Sequence, residues 1–134
     1  MTPHDLTPKK PTEAEFEILR ALWIKQPATV RDVFETLGAD RPEDRPLGYT
    51  TVLKTMQIMT EKGLVTRQEQ GKAHVYMAAM AETDMQTQML KDLSEKLFSG
   101  STAALAMHAL GLNPASEDEL QQIRALIARK GSQS

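Results

Sequence analysis

Between Gly48 and Gly63 the chain reads GYTTVLKTMQIMTEKG, and four of its polar side chains fall on one side of a helix. Thr50, Thr51, Lys54 and Gln57 offer two hydroxyls, an amine and an amide, the donors and acceptors that read base edges in a major groove. Leu53 and Ile58 share that outward side. One of them touches a thymine methyl there, or either packs on the wing or the first helix. Val52, Thr55, Met56 and Met59 recur at the i, i+3, i+4, i+7 spacing of an inward face. Each polar residue also has a plainer role. One of the two threonines is the helix cap, and a cap occupies only one hydroxyl. Lys54 is a phosphate or guanine contact, or else an ordinary solvated lysine.

Gly63 is suited to the left-handed turn that closes a helix. Leu64 to Gln70 and Ala73 to Ala78 then read as two short strands around Gly71-Lys72. Lys72 at the tip is the phosphate candidate of this hairpin. Arg67 is a second, although Arg67 and Glu69 share a strand face and an exposed pair between them is worth only about 0–1 kcal/mol. Tyr49 and Tyr76 read as packing residues with hydroxyls at the edge, Tyr49 with a phosphate also in reach, and Trp23 reads as core.

Other chemistries find little support. There is no cysteine, which removes disulfides, thiol catalysis and thiolate metal sites. The histidines at 4, 74 and 108 lack metal-ligand spacing. Eight methionines, several at helical intervals, are the adaptable filling of a core rather than a copper site. No nucleophile elbow, phosphate loop or metalloprotease motif is present. The expectation is a protein that is not an enzyme, with no catalytic residue, no metal and no cofactor.

The elements that must hold the polar helix follow from capping and periodicity. Residues 1–11, with prolines at 3, 8 and 11, read as a flexible lead-in. Thr12 and Glu15 form a capping-box pattern ahead of a helix with Phe16, Leu19, Leu22 and Trp23 inward, ending near Gln26-Pro27. Thr29 and Asp32 repeat the pattern for a second helix, with Val33, Phe34 and Leu37 inward and Gly38 as its stop. Three short helices and a hairpin make residues 12–80 one small domain. From 81 to 134 the pattern is all helical. A helix from Glu82 to Ser99 carries Met85, Met89, Leu93 and Leu97, and a short one runs from Thr102 to Leu110 with Gly111 closing it. A last helix, capped by Ser116 and Glu119, carries Leu120, Ile123 and Ile127. Helices this short and apolar bury their faces against a second copy, because a two-fold interface lets one patch serve both chains.

The 134 residues are 40% hydrophobic and 25% charged, the make-up of an ordinary globular protein. The net charge is −2, but residues 45–78 hold five basic residues against two acidic ones, whereas residues 81–134 hold five against seven. The positive charge therefore sits with the polar helix. With neither an apolar run of membrane length nor a secretory h-region, the expected location is cytoplasmic.

PTEAEFEILRALW, GYTTVLKTMQIMTEKGLVTR and GKAHVYMA, in that order, resemble the penicillinase and methicillin-resistance repressors and their copper-responsive relatives, the BlaI/MecI/CopY family. The resemblance is close over residues 11–80 and holds in outline beyond. It implies a homodimeric repressor whose winged helices bind a palindromic operator of TACA/TGTA half-sites and whose C-terminal helices interlock. Carried over by position, Thr50, Thr51 and Lys54 fall on the base- and phosphate-facing side, and Arg67 and Lys72 on the wing. The cysteine-rich metal motif of the copper-responsive branch is absent. The penicillin-responsive branch is induced by a sensor protease that cuts an Asn-Phe bond in the short tail helix. His108 and Ala109 stand at that place here, so the protease partner is not carried over.

The expected fold is mainly α with a small β-hairpin wing, a winged helix-turn-helix followed by an all-helical dimerisation region. The expected function is a sequence-specific repressor on double-stranded operator DNA, through Thr50, Thr51, Leu53, Lys54, Gln57, Arg67 and Lys72. The rival from another class is a winged helix that docks a protein partner on the same outward face and binds no DNA.

Overall fold

The computed structural model describes residues 10–39, 41–44 and 46–132. Most of the expected lead-in, including His4, and Arg45 of the basic window lie outside them. The order is α1 (Glu13–Ile24), α2 (Val30–Ala39), α3 (Tyr49–Lys62), β1 (Val65–Gln70), β2 (Ala73–Ala78), α4 (Glu82–Leu97), α5 (Thr102–Leu112) and α6 (Glu117–Ser132). It is a mainly helical chain with one two-stranded antiparallel hairpin.

The capping boxes do what their residues dictate. Thr12 Oγ1 accepts from the Glu15 N–H at 3.2 Å, while Glu15 Oε1 accepts from the Thr12 N–H at 2.9 Å. Thr29 and Asp32 exchange the same bonds at 3.1 and 3.0 Å, as do Ser116 and Glu119 at 3.1 and 2.9 Å. Orphan N–H groups of three helix starts are thus satisfied locally. Gly63 ends α3 at φ 83°, where its N–H reaches Thr60 O at 3.2 Å and the Leu64 N–H reaches Met59 O at 2.9 Å. That is the six-to-one and five-to-two pattern of a left-handed helix stop, sealed by the burial of both Met59 and Leu64.

Two glycines expected to stop helices do not. Gly38 lies within α2, which runs to Ala39, and Gly111 within α5, which runs to Leu112. Neither adopts a positive φ, in contrast to Gly63, Gly71 and Gly100.

In the hairpin, Val65 stands opposite Ala78, Arg67 opposite Tyr76 and Gln70 opposite Ala73. Ala28, between α1 and α2, adds a bridge to the open side of β2: its N–H reaches Tyr76 O at 3.1 Å and its carbonyl accepts the Tyr76 N–H at 2.8 Å. The Gln26 side chain extends this seam, its Oε1 accepting the Ala78 N–H at 2.8 Å. The wing is therefore tied by backbone to the α1–α2 corner, which fixes it beside α3.

The core joins Ile18, Leu19 and Leu22 of α1, Val30 and Val33 of α2, Val52, Met56 and Met59 of α3, and Leu64, Val65 and Tyr76 of the wing. Met85 of α4 belongs to it as well, and Met89 packs against it. The chain divides into two compact units between Met89 and Leu90, inside α4. Met85 and Met89, expected to face a second copy, are instead drawn into this core, which leaves Met85 only 4% exposed. In the second unit Ser94 is the one buried residue among those described. Leu93, Leu97, Met107, Leu112 and Ile127 stand exposed, while Leu120 and Ile123 are partly covered.

Candidate nucleic-acid interface

The amphipathic pattern of α3 places its two faces as the spacing requires. Val52, Met56 and Met59 are buried, while Thr50, Thr51, Lys54 and Gln57 are exposed. Thr55, expected inward, is half-buried and donates its hydroxyl to the Thr51 carbonyl at 2.8 Å. Leu53 departs from its exposed neighbours: it is partly buried and packs against the core. Ile58 stays 48% exposed, so neither the wing nor another helix takes it up.

The question of which residue caps α3 has a definite answer. The cap position is Gly48, with no side-chain hydrogen bond to the helix. Neither threonine hydroxyl is therefore occupied by capping, and the first N–H groups of α3 keep no side-chain acceptor. In α1, α2, α5 and α6 a hydroxyl fills that role. Free N–H groups, two hydroxyls and the positive end of the helix dipole together favour an anion.

On the wing, Arg67 and Lys72 are exposed. Arg67 makes no ion pair among the described residues. Glu69 lies instead near His74, with Oε1 3.8 Å from Nε2, an ion pair only when the imidazole is protonated. The alternative of an Arg67–Glu69 pair is not realised. Gly71 turns the hairpin at φ 65° and leaves Lys72 at its tip.

Two features of the site had no signal in the sequence. Glu15, the capping residue of α1, is 3% exposed and holds Lys62 Nζ at 3.0 and 2.8 Å. Burial works against its charge, but the Lys62 ammonium and the Thr12 bonds outweigh it and keep the carboxyl below its usual range. This pair fastens the last turn of α3 to the first turn of α1. At the opposite end of α3, the Tyr49 ring meets Phe34 edge-on at 5.6 Å and carries the Arg31 guanidinium at 5.3 Å. Arg31 carries no signal for this contact in the sequence, because nothing in local spacing brings α2 to Tyr49. Among the described residues no group of three or more His, Cys, Asp or Glu side chains converges as a metal site.

A polar, cation-bearing helix held on a small helical core ahead of a two-stranded wing defines a winged helix-turn-helix protein. Residues 11–129 match the family model described as penicillinase repressor, so the chain belongs to the penicillinase repressor family. It is similar to the methicillin resistance regulatory protein MecI of Mammaliicoccus sciuri, 22% identical over 89% of this chain and 94% of that protein. The transcriptional regulator BlaI of Mycobacterium tuberculosis (strain H37Rv) is 30% identical over 87% of this chain and 81% of that one. The solved structure of Bacillus licheniformis BlaI, in monomeric form with the blaP half-operator, aligns at TM-score 0.48 and 18% identity over 58% of this chain and 90% of that chain. These relatives are regulators of transcription, not enzymes. No described helix is long and apolar enough to cross a membrane.

Proposed function

We propose that the protein is a sequence-specific DNA-binding repressor that acts in the cytoplasm as a homodimer on a palindromic operator. The observation that carries this reading is the exposed face of α3. Thr50, Thr51, Lys54 and Gln57 make no side-chain hydrogen bond or ion pair among the described residues, at a helix start whose cap, Gly48, offers no side-chain acceptor. Each α3 enters a major groove, Arg67 and Lys72 follow the backbone on the wing, and transcription is blocked by occupancy. Leu53 contributes there only through the part of its side chain that the core leaves uncovered. Two-fold symmetry then sets half-sites about one or two helical turns apart. Membership in a repressor family supports the same direction.

The dimer is supported by the apolar side chains that the second unit leaves exposed, among them Leu93, Leu97, Met107, Leu112 and Ile127. Leu93 and Leu97 on α4 and Leu120, Ile123 and Ile127 on α6 form the surface for a second copy.

Duplexes selected from random DNA by the purified protein provide the test. If each protomer neutralises roughly three to four phosphates, log K falls with log salt at a slope of about −5 to −7 for the dimer. Lys54→Ala weakens binding to the selected duplex. Failure to enrich any duplex sinks the DNA reading and leaves the outward face of α3 to a protein partner.

A further inference from the structure

We propose that Arg31 is a further phosphate-contacting residue of the DNA interface and that Tyr49 positions it. The inference rests on the DNA reading above and extends it from α3 to α2. Its basis is the line of contacts in which Phe34 meets the Tyr49 ring edge-on and the Arg31 guanidinium lies over that ring. Tyr49 is the first residue of α3, next to the exposed Thr50 and Thr51. A guanidinium held 5.3 Å from that ring is therefore held at the groove-entering end of the recognition helix. In a helix-turn-helix the helix before the recognition helix crosses the phosphate backbone, and α2 is that helix.

The alternative partner of Arg31 is weak. Glu35 Oε2 lies 3.8 Å from its Nη1, and both side chains are about two-thirds exposed, at 66% and 64%. A solvated i, i+4 pair of this kind contributes little and gives way to a phosphate. Phe34 is partly buried against the core, so the ring beneath Arg31 has a fixed base. Stacking on Tyr49 restricts the arginine before DNA arrives, and less rotamer freedom is then lost on binding. The planar guanidinium suits the paired oxygens of a phosphate, which carry no sequence information. Arg31 thus adds affinity and register, and base choice stays with α3.

The test uses full-length protein and measures binding to a selected duplex and a random duplex across salt. Wild type, Arg31→Ala, Tyr49→Leu, Tyr49→Phe and the Arg31→Ala/Tyr49→Leu double variant are compared, with far-UV circular dichroism as the folding check. Arg31→Ala is expected to weaken both duplexes by the same factor and to make the salt slope shallower by about 0.9 per bound protomer. Tyr49→Leu weakens binding in the wild-type background and adds nothing in the Arg31→Ala background, and Tyr49→Phe, which keeps the ring, rescues that loss. An unchanged salt slope in Arg31→Ala, with wild type still bound, overturns the assignment of Arg31 and leaves the repressor reading intact. Additive losses in the double variant overturn the positioning role of Tyr49. If wild type itself shows no salt-dependent duplex binding, both readings fall together.

Discussion

Glu15 closes the α1 capping box and also accepts both contacts from Lys62, so one carboxylate organises two helix ends. The partners are unequally covered, since the Glu15 side chain is 4% exposed and that of Lys62 27%. That inequality decides which substitution hurts more. Lys62→Met leaves a buried carboxylate without its cation and is expected to destabilise the fold by about 3 kcal/mol. Glu15→Gln keeps an acceptor for Thr12 and lets the ammonium turn to water, so a loss of about 1 kcal/mol is expected. Urea unfolding of the two variants checks the order, and equal losses would contradict it. The pH dependence follows from the lowered carboxyl of Glu15. A group whose folded pKa lies below its unfolded one contributes stability that is complete above the unfolded value and fades as pH falls through the folded one. Stability should therefore decline below about pH 4.3, and Glu15→Gln should flatten part of that decline. Asp32 and Glu119 are held low in the same direction by the N–H and hydroxyl of Thr29 and Ser116.

Among the elements, helix ends separate glycines by conformation. Gly63 stands at φ 83° and ends α3, whereas Gly38 has no positive φ, lies inside α2, and has nothing within 4 Å of the place a Cβ would occupy. Gly63→Ala is expected to destabilise by about 1–2 kcal/mol, because a Cβ in the left-handed region meets its own carbonyl. Gly38→Ala is expected to stabilise by about 0.5–1 kcal/mol, through lower unfolded-chain entropy in a position that already suits a side chain. Thermal melts of the two variants should move in opposite directions. The same contrast explains why α2 and α5 run past Gly38 and Gly111. Glycine stops a helix when the chain beyond it turns away, and the residue alone does not report that turn. Thr12, Thr29 and Ser116 were legible because a cap and its partner are three residues apart.

For the whole molecule, the division at Met89 sets a specific experiment. A chain ending after Met89 retains Met85 and Met89 for the winged-helix core. It is expected to fold, sediment as a monomer and bind a full operator with roughly half the salt slope of the intact protein. A dimer at this length would show that the C-terminal helices do not join the copies. The sequence by itself determined the helices, the hairpin, the capping boxes at Thr12, Thr29 and Ser116 and the polar face of α3, because each depends on periodicity or on side chains a few residues apart. Only the tertiary structure decided that Glu15 is buried under Lys62, that Ala28 pairs with Tyr76, that Arg31 rests on Tyr49, and that Met85 belongs to the winged-helix core. Those contacts join residues far apart in the chain, and which apolar or charged side chain finds which partner is settled when the elements pack.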